Sequence, residues 1–206
     1  MTVLKILGRK TSSNVQKVLW CCGEIGIAFE REDVGGEFGG NKSPQYLALN
    51  PNGLVPTIDD GGFILWESNA IVRYLSAKHA MGALYPSDLQ RRADAERWMD
   101  WQQATLGPPM GILFRGLLRS PPDAIEPNEM KSAERRAAAA LAILDAQLAR
   151  TPYVAGPDLT MGDIALGYAP HRWFKLPIER PDLANLEGWY KRLCDRPAYR
   201  KHVASV

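Results

Sequence analysis

The stretch LNPNGLVPTIDDGGFILWESNAIVRYL, residues 49–75, decides the fold, and it opens on an apparent conflict. Pro56 stands directly before a run that reads as a strand, yet a proline inside a sheet removes a ladder hydrogen bond. Asp60-Gly61-Gly62 then separates two short runs, around Thr57-Ile58 and at 63–66, with the residues of a tight hairpin turn. Beyond the second run, Glu67-Ser68 opens a segment in which Ile71, Val72 and Leu75 recur at helical period.

Upstream of this stretch the chain alternates. Residues 3–7 read as a strand, 14–25 as a helix, 29–34 as a strand and 43–49 as a short helix, so residues 1–80 spell β-α-β followed by α-β-β-α. Beyond Tyr85-Pro86 the long segments at 89–106, 128–150 and 183–197 are all helical in pattern, punctuated by Pro and Gly clusters at 107–111, 121–122 and 156–157. The expected organisation is an α/β N-terminal domain over 1–80, a linker at 81–88 and an all-α helical-bundle domain over 89–206. Within the last, Thr160 and Asp163 have the spacing of a capping box, and Leu159 with Ile164 that of its hydrophobic staple.

Composition narrows the function. Of 206 residues 46% are hydrophobic, enough to fill a substantial core. Lys and Arg number 25 against 23 Asp and Glu, a net charge of +2 that makes nucleic acid a poor expectation. No apolar run approaches the roughly 20 residues that cross a bilayer, and residues 1–14 lack a signal-peptide core, so the expected location is the cytoplasm. Cys21, Cys22 and Cys194 make neither a disulfide framework nor a zinc site, and His79, His171 and His202 lack metal-ligand spacing, so no metal is implied.

The motifs Asn50-Pro51-x-Gly53-x-Val55-Pro56 and Glu67-Ser68-x-Ala70-Ile71, with the late box at Thr160 and Asp163, occur in an order that resembles the cytosolic glutathione S-transferases over the whole chain. The likeness is greatest to bacterial, theta-like, serine-using members. It implies a thioredoxin-like N-terminal domain that binds glutathione as co-substrate, an all-α domain that shapes the electrophile site, and a homodimer. It also implies a cis Val55-Pro56 bond, with the Val55 backbone pairing with the cysteinyl unit like an added strand.

Helix-start chemistry suits the γ-glutamyl end. Free N–H groups and the positive end of a helix dipole attract a carboxylate, so Ser68 should hold the carboxylate and Glu67 the ammonium. A plain N-cap role for Ser68 is the alternative. For the glycyl end, matching positions fall on Asn41, where related enzymes often carry His, and on Lys42. Leu54 stands where a Lys is often found, a departure that weakens this contact.

The chemistry is activation of a thiol. At a pKa of about 8.5 only about 3% is thiolate at pH 7, and lowering it by about two units takes roughly 2.7 kcal/mol of selective anion stabilisation. Where thioredoxin-type proteins carry Cys-x-x-Cys, this chain has GRKTSSNVQKV, residues 8–18, so the thiol must come from the ligand. The family pattern S-x-P-x-x-x-V counted back from Val18 falls on Ser12, with Asn14 in place of the proline. Thr11, Ser13 and Asn14 stand as alternative donors, and simple helix capping is the structural alternative. No tyrosine lies in this turn, and Cys21 and Cys22 read as packing residues.

In residues 98–120 a kink or break at Gly107-Pro108-Pro109 would turn Met110 and Phe114 toward the thiol as an apolar wall. Arg9, and Arg115 or Arg119, raise the further expectation of an acidic electrophile such as a small halogenated carboxylic acid, oriented by a guanidinium. The expected function is thus glutathione transfer to small electrophiles. The alternatives are glutathione-dependent disulfide or peroxide reduction, and non-catalytic ligand binding.

Overall fold

A computed structural model describes residues 3–119, 121 and 124–205. Its chain divides into two compact units, Met1–Tyr85 with Cys194–Val206, and Pro86–Leu193.

The first unit runs β1 (Leu4–Leu7), α1 (Ser13–Ile25), β2 (Phe29–Glu32), a 3-10 turn (Gly36–Phe38), α2 (Pro44–Leu49), β3 (Thr57–Asp60), β4 (Phe63–Trp66) and α3 (Ser68–His79). The strands form one mixed sheet in the order β2-β1-β3-β4. β1 and β2 are parallel, as α1 between them requires, and the other pairs are antiparallel. The Asp60-Gly61-Gly62 turn closes the expected hairpin, with the Gly62 N–H donating to Asp59 Oδ1 at 2.6 Å. Pro56 falls one residue outside β3, whose pairing begins with Thr57 opposite Leu7. Leu4, Ile6 and Ile58 from the sheet, Val15, Val18 and Leu19 from α1, and Ile71, Val72 and Leu75 from α3 are all buried. Cys21 and Cys22 lie in the same core, and burial pushes the Cys21 thiol up to about 12 and the Cys22 thiol higher still.

The C-terminal segment differs from the expected boundary. Residues 89–206 read as one helical domain, yet from Cys194 onward the chain packs on α1. The short helix α10 (Pro197–Tyr199) brings buried Tyr199 edge-on to Trp20, with centroids 4.9 Å apart. Arg196 grips Glu24 through two hydrogen bonds of 2.9 and 2.6 Å, while Glu24 also accepts from Trp20 Nε1 at 2.8 Å. Gly23 leaves room for this segment: a Cβ there would stand 2.9 Å from that of Ala198.

The second unit is all-helical: α4 (Leu89–Trp101), α5 (Gly107–Leu118), α6 (Pro127–Leu148), α7 (Met161–Leu166), α8 (Tyr168–Lys175) and α9 (Ala184–Cys194). Its core centres on the start of α7. The Asp163 carboxylate accepts from the backbone N–H groups of Thr160 (2.9 Å) and Val154 (3.0 Å), from the Thr160 hydroxyl (3.2 Å) and from Trp189 Nε1 (3.1 Å). Burial raises its carboxyl to about 6, against the lowering effect of those donors. Because the folded state holds this proton more tightly than the unfolded one, the group's contribution to stability falls as pH rises from about 4 to about 6. Among the described residues no helix is long and apolar enough to cross a membrane.

Replacing Asp163 by Ala strands three buried N–H groups. The unfolding free energy is expected to drop by about 3 kcal/mol or more, read as a lower urea midpoint at unchanged slope.

Candidate functional site

The sheet register brings the motifs together. Glu32, Leu7, Thr57 and Trp66 stand in one row across the four strands. The chain just beyond that row supplies Arg9 to Ser12 after β1, Val55 and Pro56 before β3, and Glu67 and Ser68 after β4. Segments scattered over residues 9–68 therefore converge on a single edge of the sheet.

At this edge Ser12 is the N-cap of α1, and its hydroxyl makes no capping bond. Its backbone is fixed from both sides, the Ser12 N–H donating to Arg9 O at 3.2 Å and its carbonyl accepting from Gln16 at 2.9 Å. The first turn of α1 holds no acidic residue, so the positive end of the helix faces the Ser12 side uncompensated from within the helix. Thr11 and Ser13 are half-buried beside it and Asn14 is exposed.

The Val55-Pro56 bond is cis, as the resemblance implied. The loop leading to it is tied down carbonyl by carbonyl. Lys42 Nζ donates to Asn52 O (3.2 Å) and Asn41 Nδ2 to Gly53 O (2.7 Å). Leu54 O accepts from both Tyr46 Oη (2.6 Å) and Asn50 Nδ2 (2.8 Å). The Thr57 hydroxyl completes the group, 2.9 Å from Tyr46 Oη and 3.1 Å from Asn50 Nδ2. Asn41 and Lys42, expected at the glycyl carboxylate, thus reach the loop backbone here. Gly53, at φ 60°, is required between them, because a Cβ would stand 2.8 Å from Asn41 O. Burial pushes the Tyr46 hydroxyl above its ordinary value and keeps it a donor. The Leu54 side chain is exposed.

α3 begins at Ser68, and its N-cap is Glu67 instead of Ser68. Glu67 holds φ 71° and ψ 108°, the one non-glycine residue at positive φ among those described. Such a conformation costs about 1–3 kcal/mol and tends to persist where it orients a functional group. Ser68 is buried, and the N–H groups of the first turn have no intrahelical acceptor. Buried Lys17 donates to Asn69 Oδ1 at 3.2 Å, joining α1 to this first turn.

In the helical unit the expected break at Gly107-Pro108-Pro109 is absent. The helix passes through a wider π turn (Gln102–Leu106) directly into α5, so the prolines follow a turn whose looser winding accommodates their missing N–H groups. Met110 falls with Leu106 and Leu113 on the inward face and is only 1% exposed. Phe114 is half-buried, with the guanidinium of Arg119 4.8 Å and that of Arg172 3.8 Å from its ring centre. Arg115 is exposed. A separate groove of about 550 Å³ between α4 and α6, lined by Trp98, Trp101, Ile143 and Arg150, contains none of the side chains at the sheet edge.

The sequence offered no role for Tyr46, Asn50, Thr57, Lys17 or Arg172. Asn50 belonged to a quoted motif without an assigned contact; nothing local marked the others.

A four-stranded mixed sheet of thioredoxin-like topology with a cis-proline at its edge, followed by an all-helical unit, defines a class of two-domain proteins. The family model of the glutathione S-transferase N-terminal domain matches residues 11–78, and that of the C-terminal domain residues 122–192. Glutathione S-transferase GstB of Escherichia coli strain K12 is 39% identical over 203 residues, covering 98% of both chains. Glutathione S-transferase 3 of Zea mays is 33% identical, covering 100% of this chain and 96% of its own. Among solved structures, the theta class glutathione S-transferase of Xanthomonas axonopodis pv. citri with glutathione bound superposes with a TM-score of 0.95 at 48% identity, covering 100% of this chain and 99% of that one. The chain belongs to the glutathione S-transferase family.

Glu67 at positive φ generates a stability prediction. Glu67→Gly is expected to raise the unfolding free energy by about 1 kcal/mol, whereas Glu67→Ala, which keeps the strain, gives no such gain. Denaturant titration of both variants decides it.

Proposed function

We propose that this chain is a glutathione S-transferase of the theta-like, serine-using kind, which ionises the thiol of bound glutathione for attack on a small electrophile. The single observation that carries the reading is the convergence, at one edge of the sheet, of an uncapped serine hydroxyl, a cis-proline loop and an open helix N-terminus.

In this reading the extended tripeptide lies along the segment before Pro56, its cysteinyl unit pairing with the Val55 backbone. Its γ-glutamyl carboxylate meets the first-turn N–H groups and hydroxyl of Ser68, and Glu67, aimed by its backbone, takes the ammonium. The Ser12 hydroxyl donates to the sulfur. With the dipole of α1 behind it, this donor favours the thiolate over the thiol, and so lowers the pKa of the sulfur. Thr11, Ser13 and Asn14 shape the turn around it. Asn41 and Lys42 serve the glycyl end by fixing the loop, and Phe114 with Arg119 belongs to the electrophile side. The sulfur attacks an electrophilic carbon and a leaving group such as halide departs with the bonding pair, or the thiolate adds to an activated double bond. The setting is cytoplasmic and the assembly a homodimer; three free cysteines suit a reducing compartment.

Removing the Ser12 hydroxyl tests the mechanism. With Ser12→Ala at saturating glutathione, the pH-rate profile should move up by about two units, which lowers the rate at pH 7 by roughly 20- to 30-fold and restores most of it near pH 9. A rate that falls equally at all pH values, or an unshifted profile, would remove Ser12 from the role.

A further inference from the structure

Arg9 is held in a setting built for its side chain. Its backbone N–H donates to Val34 O at 3.1 Å and its carbonyl accepts from Ser12, so the residue is fixed between the end of β2 and the cap of α1. Two consecutive glycines face its guanidinium. A Cβ on Gly36 would stand 2.7 Å from Arg9 Nε, 2.8 Å from Cδ and 2.9 Å from Cζ. One on Gly35 would stand 3.1 Å from Arg9 Nη1 and 3.4 Å from Val55 Cγ1. Gly35 and Gly36 sit at φ 82° and 61°, where side chains are strained in any case. The two glycines thus leave the room that the guanidinium fills, and Gly35 faces both Arg9 and Val55, the residue before the cis-proline.

The charge so placed is weakly compensated. The Arg9 side chain is 14% exposed, and Nε is buried without a hydrogen-bond partner. The Glu37 carboxylate lies 3.8 Å from Nε, beyond hydrogen-bond length, on a side chain that is 59% exposed. A guanidinium is a rigid fork that matches a carboxylate with two parallel bonds, and one already oriented and partly desolvated binds with little further ordering.

We propose that Arg9 is a specificity-determining residue that takes the carboxylate of an acidic electrophile, bringing its reactive carbon to the sulfur held near Ser12 and Val55. Glu37 occupies the outer side of the fork loosely and yields to the incoming anion. This inference rests on the transferase reading and goes beyond it by naming the charge of the substrate. The glycyl end of glutathione carries the same chemical group, so the experiment must tell the two carboxylates apart.

The test compares 4-chloro-3-nitrobenzoate with 4-chloro-3-nitrobenzamide, which share ring and leaving group and differ in charge, at saturating glutathione. The readout is the ratio of kcat/KM, acid over amide. In Arg9→Gln this ratio is expected to fall by about 10- to 100-fold, the size of one lost charge-assisted contact, with part recovered in Arg9→Lys. Gly36→Ala keeps the arginine but displaces it, and should lower the same ratio. An unchanged ratio in Arg9→Gln overturns the proposal. So does a loss that appears in the KM for glutathione, which would assign Arg9 to the tripeptide, or an equal loss on both electrophiles with a lower melting temperature, which would make it a structural clamp. Wild-type protein that conjugates neither compound and gives no heat with glutathione in calorimetry sinks the transferase reading along with this one. Wild-type conjugation with a ratio insensitive to all three variants sinks this one alone.

Discussion

The register of a four-residue row governs everything at the candidate site. Because Leu7 stands between Glu32 and Thr57, and Thr57 opposite Trp66, three chain segments must leave or enter the sheet at the same edge. A slip of one residue in β3 would turn Thr57 and Ile58 each to the other face, separating the threonine hydroxyl from Tyr46 and taking Ile58 out of the core. The placement of the candidate site residues and the packing of the core are therefore set by the same ladder.

Around that edge the molecule uses side chains to discipline irregular backbone. A loop that cannot join a strand still needs partners for its carbonyls, and here Asn41, Lys42, Tyr46 and Asn50 provide them in succession. The same economy appears at Asp163, where one carboxylate satisfies donors from three separate parts of the helical unit. Each arrangement replaces solvent by fixed polar groups, so each loses little entropy on meeting a ligand or a neighbouring helix. Glu67 is the exception that strains its own backbone, and it sits where α3 turns its free amides outward.

How much of this was legible depended on whether the signal was local. The hairpin at Asp60-Gly61-Gly62, the start of α3 at Ser68 and the box at Thr160 and Asp163 follow from turn and cap chemistry within a few residues, and the structure has all three. Ser12, Val55 and Glu67 were legible as types at family spacing. Tyr46 was not, because nothing in its neighbourhood says that its hydroxyl will find Leu54 O. Arg196 lies 172 positions from its partner Glu24, out of reach of any pattern along the chain. The π turn before Met110 was not legible either: it adds a residue to the helical repeat and rotates the rest of the helix by about 100°, and nothing local in residues 102–106 announces it.

The return of the C-terminal segment to α1 makes the first unit discontinuous in time as well as in sequence. Trp20 and the Gly23 face of α1 acquire their cover from residues that leave the ribosome only after the whole helical unit has been made. Contacts closed over so long a stretch of chain are non-local, and their loop-closure entropy makes them slow to form. The unit that holds Ser12 is in this way completed by a segment that follows the whole helical unit along the chain.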